Sequence, residues 1–198
     1  MRAMSSQVQK SIIDWGFGCS IIIFVLSIWV GCSQRFADPE ADLDPAIKSP
    51  RVYTQDELQA LFGGNSGLEV LATATKVRAY RVKELRDQQE KGAEKIFHHT
   101  ITSELREVDA ATAKELVAIL GDRTTYHDFP LECTFDPAVG FRFENESERI
   151  DVLVCFACQQ ILVVPPEKFA DFGSRRLLEI AKKLFPDDTV IQAIGRKL

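Results

Sequence analysis

Four residues of this chain have the types and spacing for sulfur or metal chemistry: His127, Cys133, Cys155 and Cys158, in the order His-x5-Cys-x21-Cys-x2-Cys. A two-residue gap lets the thiolates of Cys155 and Cys158 reach one tetrahedral ion, and Cys133 with His127 would complete a zinc site. The surroundings disfavour that use, because Cys155-Phe156-Ala157-Cys158-Gln159 lacks the Gly or Pro that usually accompanies a zinc knuckle. Redox catalysis asks for a helix start at the first cysteine, whose partial positive charge would stabilise a thiolate. Here the pair runs on into Gln159-Gln160-Ile161-Leu162-Val163-Val164, a strand pattern. The third reading makes the cysteines small buried residues of a sheet, with a disulfide from Cys133 to Cys155 or Cys158 where geometry allows. Structural thiols or one bridge rank first, zinc second and redox catalysis third.

Other clusters offer less. His98 and His99 fall in a strand pattern, where successive side chains point to opposite faces and cannot chelate one ion together. Glu144, Glu146 and Glu148 form an acidic tip without the glycine-containing, oxygen-rich loop of a calcium site, and read as a solvated turn. Gly63-Gly64-Asn65-Ser66-Gly67 has no Lys-Ser/Thr after it and follows a helix, unlike a phosphate-binding loop. Neither a GxSxG elbow nor an HExxH helix occurs. The net charge of -5, from 29 acidic and 24 basic residues, argues against nucleic acid as a partner, since phosphate binding needs a basic face.

The remaining cysteines, Cys19 and Cys32, belong to an N-terminal segment with an export pattern. Arg2 and Lys10 precede a charge-free run from Trp15 to Gln34, densest at Ile21-Ile22-Ile23-Phe24-Val25-Leu26. Basic residues before the run and acidic ones after it leave the N-terminus cytoplasmic and send the rest across the membrane. Trp29-Val30-Gly31-Cys32 resembles a bacterial lipobox, with Trp29 where Leu is usual. That resemblance implies cleavage before Cys32, acylation of that residue and attachment to the membrane through the acyl chains. The alternative is a retained single-pass signal anchor. Residues 1–31 are thus expected to be a signal peptide or anchor. Residues 32–50, with Pro39, Pro45 and Pro50 among Asp38, Glu40, Asp42 and Asp44, read as a lipidation site followed by an acidic tether.

The elements that must position the cysteines lie in residues 51–198, where the chain's 45% apolar content is enough for one core. Thr54-Gln55-Asp56-Glu57 is a capping box that starts a short helix, ended by the turn at Gly63 to Gly67. Leu68 to Val82 reads as strand, clearest in the alternation of Val77 to Val82, and the charged stretch from Glu84 to Lys95 as loop. A further strand is expected over Phe97 to Val108, then a helix from Ala110 to Leu120 capped by Asp109 and closed by Gly121. Val139 to Phe143, Ile150 to Val154 and Gln160 to Val164 make a meander. Ser174 is expected to cap a helix with Leu177, Leu178, Ile180, Ala181, Leu184 and Phe185 on one stripe, stopped by Pro186, and Asp187-Asp188-Thr189 to start a last short one. The fold class is α+β, an antiparallel sheet of about five strands with a C-terminal meander, packed against three to four helices.

The stretches Cys133 to Phe143, Asp151 to Cys158 and Ala181 to Asp188 resemble a group of uncharacterised, often exported bacterial proteins. The resemblance implies that the three-cysteine arrangement is a family feature, and no activity comes with it. Together these readings point to a membrane-anchored envelope lipoprotein, a non-enzymatic binding or structural module with an envelope protein as partner. The competing expectation is a metal-binding or thiol-redox module centred on Cys133, Cys155 and Cys158, with zinc as its cofactor.

Overall fold

Apolar residues at every second position in mid-chain build a sheet, and apolar residues at helical spacing on either side cover it. The computed structural model describes residues 51–84, 93–128 and 133–195. The expected signal segment, Cys32 and the tether lie outside these residues. Among the described residues no helix is long and apolar enough to cross a membrane.

Two short helices come first, α1 (Gln55–Leu61) and α2 (Asn65–Thr73), followed by strand β1 (Lys76–Glu84). Short strands β2 (Lys95–Ile96), β3 (His99–Ile101) and β4 (Arg106–Glu107) lead to helix α3 (Ala110–Leu120). Strands β5 (Val139–Glu144), β6 (Arg149–Cys155), β7 (Gln160–Val164) and β8 (Lys168–Asp171) form the meander, and helices α4 (Arg175–Leu184) and α5 (Thr189–Ala193) close the fold. The strands join in one antiparallel sheet in the order β2-β3-β1-β5-β6-β7-β8, with β4 paired to β1. The architecture is therefore α+β, with more strands and one more helix than the sequence suggested.

The differences have local causes. Gly67, Val70, Leu71 and Ala74 fall at i, i+3, i+4 and i+7, so α2 occupies the start of what its Val and Thr content marked as strand. Gly63 and Gly64, at φ 79° and 96°, complete the turn in two residues, and α2 begins inside the expected turn. Gly67 then packs so closely on α1 that a β-carbon there would lie 1.6 Å from the Phe62 carbonyl oxygen. The single strand expected between Phe97 and Val108 breaks up because a turn at Phe97, φ 56°, folds β2 back on β3. Strand β8 escaped notice because only four residues carry it. Thr54 and Glu57 form the expected capping box, and Asp109 and Asp188 cap α3 and α5, whereas Ser174 stands at the start of α4 without a side-chain cap bond.

The five helices of the described residues pack on one face of the sheet. Their Leu58, Val70, Leu116, Leu120, Leu177 and Ile191 are buried in one cluster with alternate residues of β1 and β5 to β8. The opposite face carries a smaller apolar cluster around Tyr80, Val82, Leu153 and Leu162, capped by Ile96 and Ile101.

Candidate functional site

The sulfur residues meet at one end of that second face. Strand β6 ends on Cys155, the chain turns through Phe156 to Gln159, and β7 starts at Gln160 opposite Cys155. Gln159, at φ 51°, makes the tight return, so Cys158 sits in a hairpin turn and not in the strand its neighbours suggested. A disulfide joins Cys158 to Cys133, with their Cα atoms 5.7 Å apart. Cys155 is a free thiol, and both it and Cys158 are 1% exposed. The backbone N–H of Cys158 donates to Cys155 Sγ at 3.3 Å, and the backbones of Asp136 and Ala157 also favour the charged form of that sulfur. Burial pushes the Cys155 thiol up from its ordinary range, and these three backbone groups offset part of that rise.

The bridge anchors the segment entering β5. From exposed Cys133 the chain runs to Phe135, whose ring meets His99 edge-on at 5.7 Å and Phe169 at 5.1 Å. Ala138 donates to the Val154 carbonyl at 3.0 Å, holding the segment beside the end of β6. Of the four residues first singled out, the structure gathers three and leaves His127 elsewhere. His127 donates its N–H to the Asp171 carbonyl at 3.1 Å, and a β-carbon at Gly173 would lie 2.9 Å from its ring. Its backbone is three strand spacings from Cys155, through Gln160 and Asp171, or roughly 14 Å at about 4.8 Å each. The bridge takes two of the three thiols, and among the described residues no group of three His, Cys, Asp or Glu side chains is placed to hold a metal ion. His98 is exposed, while His99 is buried beside Phe135.

A buried polar network borders the sulfur cluster on the same face. Register places Tyr80, Gly140, Leu153, Leu162 and Phe169 in one row, and Arg78, Arg142, Asp151 and Val164 in the next. The Tyr80 ring lies across Gly140, where a β-carbon would come within 2.3 Å of it. From there Tyr80 Oη donates to Asp151 Oδ1 at 2.6 Å. Arg142 donates to the same oxygen at 2.7 Å, to Asp151 Oδ2 at 3.3 Å and to Glu94 Oε1 at 2.7 Å. Arg142 and Asp151 are each 2% exposed. Burial and the Asp151 charge hold the Tyr80 hydroxyl well above its ordinary pKa, so it remains a donor. Burial works against the Arg142 charge, but hydrogen bonds to Glu94 and Asp151 outweigh it and raise the pKa; the same Arg142 bond lowers that of Glu94.

Comparison of the chain with family models, curated proteins and solved structures finds no match. Chemical meaning rests on the geometry. The network groups face one another inside the sheet, an arrangement that fixes strand register. An open cleft of about 410 Å³ on the helical side is lined by Arg81, Thr102, Ser103, Arg106, Phe185 and Asp188. Its two guanidinium groups are turned to protein acceptors: Arg81 bonds Asp188 at 2.8 Å and the Ala138 carbonyl, and Arg106 bonds the Leu184 carbonyl at 3.0 Å. Among the described residues the cysteine cluster alone combines a thiol with a bond it can attack. Sequence reasoning overlooked the Tyr80–Asp151–Arg142 network, although the signal was present. Arg142 between two phenylalanines and Asp151 between Ile150 and Val152 are opposite charges inside buried strands, at mirror positions of one hairpin.

Proposed function

We propose that this chain is a membrane-anchored lipoprotein of the bacterial cell envelope, acylated at Cys32. Its α+β portion then acts as a binding or structural module held off the membrane by residues 32–50. The Cys133–Cys158 disulfide carries the reading, because such bonds persist in oxidising compartments and are rare in the cytosol. The lipobox-like Trp29-Val30-Gly31-Cys32 supports the anchor, and the mutual pairing of Arg142, Asp151, Tyr80 and Glu94 supports a structural role for the buried charges.

Fatty-acid labelling tests the anchor. The natural chain should incorporate label and sediment with membranes, while Cys32→Ala should lose the label. Equal labelling, or none in either protein, would sink lipidation. A photo-reactive residue at Phe169, half-exposed on the second face, tests the binding role. It should give one saturable adduct in intact cells, and the same probe at Val190 on α5 should not. Identical adducts from both positions would count against a defined binding face.

A further inference from the structure

We propose that Cys155 and the Cys133–Cys158 bridge form an intramolecular thiol–disulfide exchange site, which moves the bond to Cys155–Cys158 and releases Cys133 at the surface. The inference goes beyond the lipoprotein reading and does not rest on it. It stands on two features. First, the free thiol lies beside the bridged cysteine, in the same β6–β7 turn: the Cys158 nitrogen is 3.3 Å from Cys155 Sγ. Second, the backbone N–H of Cys158 donates to Cys155 Sγ, and the backbones of Asp136 and Ala157 also favour its charged form, which offsets part of the thiolate's cost of burial.

The step balances within the chain. Cys155 gives up its proton to solvent and its thiolate attacks Cys158 Sγ. The Cys155–Cys158 bond forms, the Cys133–Cys158 bond breaks, and its electron pair leaves on Cys133, which takes a proton from solvent. One thiol and one disulfide stand on each side, so neither oxidant nor reductant is consumed. The direction has a physical bias, because the leaving sulfur belongs to exposed Cys133 and the attacking one is buried. A thiolate is better solvated at the surface than in the core. The exchange also cuts the tie between the β6–β7 turn and the segment carrying Phe135, which packs between His99 and Phe169.

Trapping of the folded full-length protein by iodoacetamide, followed by tryptic mass mapping without reduction, reads out the exchange. Trypsin places Cys133 in peptide 124–142 and both Cys155 and Cys158 in peptide 150–168. The original bond links two peptides, whereas the exchanged one closes a loop inside the second. The expected result is carbamidomethyl Cys133 with an internal Cys155–Cys158 bond, at a rate rising about tenfold per pH unit while Cys155 remains mostly protonated. The charged group facing Cys155 is Asp136. In Cys155→Ala, Cys133 should stay unlabelled and linked to Cys158. Label on Cys155 with the original bond intact, no label in the second peptide or on Cys133 before unfolding, or equal Cys133 labelling in Cys155→Ala would each overturn the proposal. Should Cys155→Ala fail to fold, the wild-type peptide map and its pH slope decide alone.

Discussion

On the helix-covered face of the sheet, Val152 stands between Phe141 and Val163; one residue along, on the opposite face, Asp151 stands between Arg142 and Val164. The first triplet is apolar throughout and would remain so if β5 and β6 slipped by two residues. The same slip would set Asp151 opposite Gly140 or Glu144 and leave Arg142 buried without its carboxylate. A face built only from apolar alternation specifies burial but leaves register weakly determined, and one buried ion pair removes that freedom. The helical face thus supplies most of the buried apolar area, while the second face selects which pairing of the strands is native.

The largest effect that would sharpen this contrast comes from breaking the pair on one side. Asp151→Ala leaves Arg142 and Tyr80 buried without their shared acceptor and should cost about 3–5 kcal/mol by chemical denaturation. Replacing both charges, Arg142→Met with Asp151→Leu, should recover most of that loss because no uncompensated charge is left behind. The double variant should instead lose uniqueness, visible as broadened amide resonances from β5 and β6. Sharp, wild-type-like spectra from it would show that register is set elsewhere.

Next in size is the tie at the end of the same face. Cys133→Ser opens a loop spanning 25 residues and should destabilise the fold by about 2–5 kcal/mol, read as a lowered melting temperature. Leu120→Ala in the helical core should cost a comparable 2–5 kcal/mol through the cavity it leaves, without disturbing strand register. If Leu120→Ala alone scrambled the β5–β6 resonances, the division of labour between the faces would fail.

A smaller effect isolates packing from charge. Gly140→Ala places a methyl 2.3 Å from the Tyr80 ring and should cost about 1–3 kcal/mol. Tyr80→Phe keeps the ring carbons responsible for that clash, so it should not rescue Gly140→Ala, and by itself should cost about 1.5–3 kcal/mol for the lost bond to a carboxylate. Additive losses in the double variant would show the steric and polar roles of Tyr80 to be separate, and full rescue would contradict the placement of its ring.

How legible these features were in the sequence depends on the range of the interaction behind each. The capping box at Thr54, the caps Asp109 and Asp188 and the β5–β6–β7 meander are written in residues a few positions apart, and the structure reproduces them. The helix α2 was hidden because β-branched composition pointed one way and the spacing of Gly67, Val70, Leu71 and Ala74 the other, and burial against β5 and β6 followed the spacing. The choice of Cys158 over Cys155 as partner of Cys133 depends on the turn at Gln159, which nothing in a strand-like string of residues announces. Tyr80 is remote in sequence from Asp151, and only the pairing of β1 with β5 brings them together.

The smallest predicted effect asks whether local helix starts on the apolar face respond to acid independently of the network on the other. Glu57 in the capping box of α1 accepts from Arg51, from the Thr54 backbone and from the Thr54 hydroxyl, which lower its pKa from 4.5 to about 2. A carboxylate with a depressed folded pKa contributes stability that is fully present above its unfolded value and is lost as pH falls through its folded value. The Glu57 contribution should therefore be complete above about pH 5 and decline between 4.5 and about 2. Thermal melts of wild type and Glu57→Gln across that range should differ most near neutrality and converge toward pH 2. Amide exchange should speed up in α1 of the variant while β5 and β6 keep their protection, because the helix start touches the network nowhere. Loss of protection in β6 along with α1 would mean that the two faces unfold as one unit even for a local change, and the separation argued from register would have to be given up.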